Sequence, residues 1–264
     1  STGGTFEKCA AENNQVKTMA YGGGFVGEVD DGYGVGNSKF TNSYVANCTV
    51  IAKTDEVHGI SYAGSFAGEM TQSKLTIQNC YVYQATPSIE GTAASDTKGT
   101  GVFAGNLAGA DSTIVDTNCY FGACGTTDRA GTATEKQDAE FTNGTVAGSL
   151  GEAFAQARDY PRFKDSPADY SAVDAAIAKA NALEKDNYKD FSAVEAAINT
   201  VVRDKNITEQ GEVDAMAQAI ENAITALVEK PTEAPTATPT ATPTAAPSAS
   251  PTAAPTATPT VKPT

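Results

Sequence analysis

Residues 101–107 read Gly-Val-Phe-Ala-Gly-Asn-Leu, two glycines bracketing a phenylalanine, and the pattern is not alone. It recurs as GGFVGEV at 23–29, GSFAGEM at 64–70 and GTVAGSL at 144–150, so the starts lie 41, 37 and 43 residues apart. Between copies sits a second element: Asn47-Cys48-Thr-Val, Asn79-Cys80-Tyr-Val and Asn118-Cys119-Tyr-Phe. Self-similarity with a period of about 40 residues marks a solenoid, propeller or array. With two short strand-like elements per period and four copies, a propeller ring does not close. The reading is a right-handed parallel β-helix over residues 1–160, with two coils of about 20 residues per repeat. Equivalent residues then stack at about 4.8 Å, with Phe25, Phe66, Phe103 and Val146 in one interior column. The flanking glycines fall where the chain turns a corner and a Cβ would clash or demand φ > 0.

These repeats resemble the GLUG motif, a glycine-rich repeat followed by an asparagine-cysteine strand, found in bacterial surface adhesins and some secreted peptidases. GGFVGEV and the three Asn-Cys pairs carry the resemblance. The sequence departs from it in the 21 residues from Gly27 to Cys48, against 12 and 14 in the next two repeats. The fourth copy runs instead into GEAFAQARDYPRF, which reads as a cap over the open end of the helix.

Residues 165–230 are helical. Ser171-Ala-Val-Asp-Ala-Ala-Ile177 recurs as Ser192-Ala-Val-Glu-Ala-Ala-Ile198, each opening like a capping box. The apolar stripes Tyr170, Val173, Ile177, Ala180; Phe191, Val194, Ile198, Val201; and Val213, Met216, Ile220, Ile224, Leu227 have helical spacing, the last after a cap at Thr208. Three such helices with short connections predict an antiparallel three-helix bundle. This stretch resembles the FIVAR module of secreted and surface-anchored proteins of Gram-positive bacteria. The resemblance implies an extracellular setting and carries over no catalytic residue.

From Pro231 to Thr264 a proline falls at every fourth position, accounting for nine of the twelve prolines. A segment with no apolar side chain larger than valine cannot bury a core, so 231–264 is expected to be a disordered spacer. The opening STGGTFEKC reads as a mature or excised segment of something longer.

The formal charge of -14 argues against nucleic-acid partners and anionic lipid, and no apolar run is long enough to insert in a membrane. Trp is absent and His58, in a polar loop, is the single histidine. Gly22–Gly27 matches G-x-G-x-x-G, but it runs into Glu-Val-Asp-Asp-Gly, which cannot start a helix, so no dinucleotide site is expected. Cys48, Cys80 and Cys119 should form a buried thiol ladder, with Cys119 and Cys124 the one place for a disulfide. Glu28 and Glu69 share a slot with Asn106 and Ser149, which suits outward polar residues at a turn better than glycosidase carboxylates. Asp30-Asp31 and Asp111/Asp116 read as solvated loop carboxylates rather than calcium ligands.

No catalytic residue, metal site or cofactor is assigned. Without Trp, the aromatic candidates for stacking on sugar rings are Tyr33, Tyr62, Tyr81, Tyr83 and Tyr120. If the cysteines face inward, alternation turns Tyr81 and Tyr120 outward as a ligand strip. The expected function is therefore a non-catalytic cell-surface or extracellular module for adhesion, or for binding a glycan, host or cell-wall ligand. It would act beside other modules of the same polypeptide. The rival is an accessory region of a modular secreted enzyme, a carbohydrate-active enzyme or peptidase, whose catalytic domain lies elsewhere.

Overall fold

The structure, a computed structural model, describes residues 4–30, 37–55, 57–92 and 97–231. The Pro/Thr-rich segment beyond 231, Asp31 and Tyr33 lie outside the described residues.

The first half is built from parallel strands, each paired with its counterpart one repeat later. The first coil contributes β1 (Gly4–Glu7), β2 (Ala10–Glu12), β3 (Gln15–Met19), β4 (Tyr21–Gly23) and β5 (Val26–Asp30). The second contributes β6 (Asn37–Thr41), β7 (Tyr44–Ala46), β8 (Thr49–Lys53), β9 (Ser61–Gly64) and β10 (Ala67–Thr71). The third has β11 (Lys74–Gln78), β12 (Tyr81–Tyr83), β13 (Thr86–Glu90), β14 (Lys98–Gly101) and β15 (Ala104–Ala108). A partial fourth adds β16 (Thr113–Thr117) and β17 (Tyr120–Gly122), and β18 (Thr134–Glu135) pairs with β17 as the start of a further layer. They form five parallel sheets, β1-β6-β11-β16, β2-β7-β12-β17-β18, β3-β8-β13, β4-β9-β14 and β5-β10-β15. This topology is compatible with a parallel β-solenoid. Each repeat is one coil, not two: stacked asparagines lie 34, 37 and 39 residues apart. The three-residue strands escape detection in the sequence because they are too short to show alternation.

Phenylalanines 25, 66 and 103 do form one interior column, packed edge to face. Ring centroids are 5.0 Å apart for Phe25–Phe66 and 5.2 Å for Phe66–Phe103, and Phe40 joins them from the opposite wall at 5.2 Å from Phe25. Phe66 and Phe103 are fully buried, each such ring contributing about 1.5–3 kcal/mol by burial. Backbone amides follow the rings, Phe25 N–H donating to the Phe66 carbonyl and Phe66 N–H to that of Phe103.

The glycines answer to close approach rather than to positive φ. A Cβ on Gly64 would overlap the carbonyl oxygen of Ala67, three residues on, where the chain folds back around Phe66. A Cβ on Gly68 would come within 2.7 Å of the Gly22 amide nitrogen. There the β4-β9-β14 and β5-β10-β15 sheets meet backbone to backbone, with no room for side chains. The left-handed corners are filled by other residues: Lys8, Asn42, Asn79 and Asn118 at one (φ 50, 49, 50 and 53°), and Asn13, Asn47, Gln84 and Ala123 at another (56, 51, 50 and 52°). Asparagine tolerates this conformation. Its side chains also bond coil to coil, Asn79 Nδ2 to Asn42 Oδ1 at 3.2 Å and Asn118 Nδ2 to Asn79 Oδ1 at 2.9 Å.

The fourth glycine copy departs from the pattern. Gly144 precedes a helix, α2 (Thr145–Leu150), which comes after α1 (Asp138–Thr142). Val146 is buried among Tyr81, Tyr83, Phe141, Leu150 and Phe154 instead of joining the phenylalanine column. The antiparallel pair β19 (Phe154–Gln156) and β20 (Pro161–Phe163) comes next. With the two helices it covers a side wall, the outer face of β7-β12-β17, not the open end as the sequence suggested. An ionic contact ties this segment to the first coil: Arg162 Nε and Tyr160 Oη bond Glu12 Oε2 at 3.0 and 2.8 Å.

Residues 171–225 supply α3 (Ser171–Asn181), α4 (Ser192–Asn199) and α5 (Gln210–Thr225), which share one apolar cluster around Val173, Ala176, Val194, Val213 and Ile220. The caps differ from the expected boxes. Asp169 and Asp190 accept the Ser171 and Ser192 amides at 2.8 Å each, holding both carboxyls below the usual carboxylate range. Before α5, Asn206 and not Thr208 is the cap: its Oδ1 takes the Thr208 amide at 2.9 Å, and Glu209 returns to the Asn206 amide.

Gly64→Ala is expected to destabilise the chain by about 2–4 kcal/mol in urea unfolding, from overlap with rigid backbone. Gly148→Ala, in open space inside α2, is expected to stabilise by about 0.5–1 kcal/mol. Equal costs at the two positions would show that the fourth copy turns like the others.

Candidate functional site

The structure corrects the aromatic ligand strip that alternation predicts at Tyr81 and Tyr120. Tyr44, Tyr81 and Tyr120 are in register on β7, β12 and β17 and point away from the phenylalanine core, as alternation requires. That outer face is then covered. Tyr81 is 0 % exposed; its hydroxyl donates to the Pro161 carbonyl and its ring meets Phe141 and Phe154 at 5.8 and 5.9 Å. Tyr120 is half-buried, donating to Asn118 Oδ1 at 2.7 Å with the Lys136 ammonium 5.8 Å from its ring. Tyr83 is buried and stacks on Phe141. The tyrosines hold the flanking segment in place and do not form an open ligand surface.

The carboxylate slot is also less exposed than a turn position would be. Glu28, Glu69 and Asn106 are successive partners on β5, β10 and β15. Glu69 is 7 % exposed and accepts from Asn106 Nδ2 at 2.7 Å. Tyr21, stacked on Tyr62 at 6.2 Å, closes the other side; burial, then the nearby glutamates, pushes its hydroxyl up to about 12. Burial first, then the charges of Glu69 and Asp30, raises the Glu28 carboxyl above the ordinary range. Two stacked carboxylates in one slot repel, and Asn106 relieves that by donating to Glu69.

The cysteines fall in two columns, a point the Asn-Cys repeat concealed. Cys80 and Cys119 come after the first left-handed corner, where the second coil has Ser43 and the first Cys9. Cys48 comes after the second corner, at the level of Asn14, Ala85 and Cys124. The long Gly27–Cys48 spacing came from matching Cys48 to the wrong corner. All five thiols are free; Cys48, Cys80, Cys119 and Cys124 are buried. The Cys119–Cys124 disulfide is absent, since β17 separates the two by a full side of the coil.

Other positions are structural. His58 is exposed and pairs with Asp55 Oδ2 at 2.5 Å. Asp116 accepts the Thr132 amide and hydroxyl at 2.7 and 2.8 Å, bracing a loop. Gly22–Gly27 spans the β4–β5 turn and opens no helix. A cavity of about 570 Å³ lies between the repeat region and the helices, lined by Glu12, Arg158, Asp159, Arg162 and Asp169. Its guanidiniums are already matched, Arg158 to Asp214 at 2.7 Å and Arg162 to Glu12 at 3.0 Å, which leaves little for an incoming anion. Among the described residues no cluster of three or more His, Cys, Asp or Glu is placed to hold a metal, and no helix is long and apolar enough to cross a membrane.

Among the described residues, nothing covers two walls of the coil. On β3-β8-β13 the outward columns are Gln15-Thr49-Thr86, Lys17-Ile51-Ser88 and Met19-Lys53-Glu90, with Lys17 and Lys53 both paired to Glu90. On β1-β6-β11-β16 they are Asn37-Lys74-Thr113, Thr5-Lys39-Thr76-Val115 and Glu7-Thr41-Gln78-Thr117. Among the described residues, Lys39 and Lys74 on this wall have no carboxylate within 4.0 Å. Sequence reasoning missed these columns because their residues are ordinary one by one; only the register aligns them.

No family model matches the chain, and neither a characterised protein nor a solved structure matches it.

Folding favours the protonated form of Glu28, because the folded state keeps its proton to higher pH than the unfolded chain does. The group therefore supports folding at low pH, and that support is lost as pH rises from the ordinary carboxylate value through the raised one. Glu28→Gln is expected to raise Tm at about pH 7 and to change it little at about pH 4. An equal loss at both would contradict the assignment.

Proposed function

We propose that this chain is a non-catalytic module of an extracellular or cell-surface protein that binds a glycan, host or cell-wall ligand. In this reading the first half is a right-handed β-solenoid of the GLUG type. Residues 165–230 form an antiparallel three-helix bundle of the FIVAR type, and the Pro/Thr-rich segment is a spacer setting reach. The observation that carries it is the open β1-β6-β11-β16 wall. Its threonine, asparagine and glutamine side chains repeat at about 4.8 Å, and Lys39 and Lys74 stand among them. In a chain of formal charge -14, Lys39 and Lys74 give that wall two cations for an acidic, hydroxyl-rich polymer, with Glu7 at the first coil's edge of the same wall. A rigid row of hydroxyl and amide groups suits a repeating polysaccharide because successive sugars meet successive coils.

The test is binding of the full chain to an array of glycans and matrix proteins, followed by affinity measurement on any hit. Lys39→Glu with Lys74→Glu is expected to weaken binding about tenfold or more without changing the circular dichroism spectrum. Lys53→Glu, on the other wall, is expected to have little effect. Turnover of an array component by the chain, or binding indifferent to the Lys39/Lys74 change, would overturn the proposal.

A further inference from the structure

The two cysteine columns place one pair of thiols on neighbouring coils. Gln78↔Thr117 before them and Tyr81↔Tyr120 after them fix Cys80 and Cys119 in register, and the Tyr120 amide donates to the Cys80 carbonyl at 3.0 Å. Equivalent residues on adjacent parallel strands are about 4.8 Å apart. That falls inside the Cα separation of about 4.4–6.8 Å that a disulfide requires. Both side chains enter the same interior, 0 % and 2 % exposed, the Cys80 thiol donating to the Gln78 carbonyl at 3.2 Å and the Cys119 thiol to the Thr117 carbonyl at 3.3 Å.

The other thiols are held apart. Ser43 lies between Cys9 and Cys80 in the first column, and Ala85 between Cys48 and Cys124 in the second. Strand β17 keeps Cys119 from Cys124 by about 10 Å of extended chain, beyond disulfide reach.

We propose that Cys80 and Cys119 are a redox pair that closes to a coil-to-coil disulfide when the chain folds in the presence of a small-molecule disulfide. In the first step the Cys119 thiolate attacks one sulfur of R–S–S–R, forming a mixed disulfide and releasing one thiolate. The Cys80 thiolate then attacks the Cys119 sulfur and expels the second. The two cysteine protons end on two R–SH molecules, so the protein loses two electrons and the small disulfide gains them. The roles of the two thiols are interchangeable, because both are reached before the coil closes over them. Burial restricts the exchange to the folding chain. Once formed, the bond closes one coil, 39 residues at this level, and staples the third coil to the fourth.

The experiment is refolding of the reduced full chain in a buffer of reduced and oxidised glutathione, then alkylation and peptide mapping by mass spectrometry. The expected result is a chain lighter by two hydrogens, a linked peptide joining Cys80 to Cys119, and Tm raised by several degrees until reductant is added. Cys80→Ser is expected to fold, because serine already occupies this column at position 43, and to show neither the linked peptide nor the reductant-sensitive shift. Recovery of all five cysteines as alkylated thiols would overturn the proposal. So would a linkage mapping to another pair, Cys119–Cys124 included.

Discussion

Two sheets meeting backbone against backbone constrain everything else in the repeat region. Because Gly68 lies on Gly22 and Gly27 of the coil before it, and Gly105 on Ala63 of its own neighbour, the two walls can be no thicker than main chain. That contact forces the fold-back at Gly64 and Gly101 and presents the intervening phenylalanine to the interior. The ring then packs edge to face against its equivalents above and below. Glycine supplies the close approach and phenylalanine the buried area, and each depends on the other. A coil with the ring but without the glycines could not close, and one with the glycines alone would bury too little apolar surface to repay its ordering.

The corners obey a different logic. Left-handed residues are needed where the chain changes wall, and asparagine fills most of those at the first two corners because its side chain also bonds to the next coil. After these corners serine, alanine and cysteine interchange as small inward residues, with Asn14 of the first coil the exception. The outward residue after the first corner is tyrosine in three coils, and those rings anchor the segment 138–163 along the wall. One wall thus becomes a second core, while the β1 and β3 walls stay open.

This division sets how far the sequence could be read. The phenylalanine column was legible because its spacing repeats and its glycines are distinctive. The helices were legible from apolar stripes of period 3.6, though their caps were placed two residues late, on Ser171, Ser192 and Thr208 instead of Asp169, Asp190 and Asn206. The coil length is not legible because strands of three residues such as β7 carry no periodic signal. The column of Cys48 is hidden in the sequence because two corners share the dipeptide Asn-Cys. The burial of Tyr81 could not be read at all: alternation gives the direction of a side chain, not what a segment 60 or more residues later will lay over it. The lysines of the open wall stayed hidden for the same reason, since only register gathers Lys39 and Lys74 onto one surface.

Proton NOE spectroscopy on the full chain, with labelled phenylalanine in an otherwise deuterated background, addresses the stacking most directly. In-register parallel coils require ring-to-ring contacts from Phe66 to both Phe25 and Phe103, and none between Phe25 and Phe103, which lie two coils apart. Rings of Phe25 and Phe103 in mutual contact, or Phe66 in contact with neither, would contradict the architecture on which the proposed function rests.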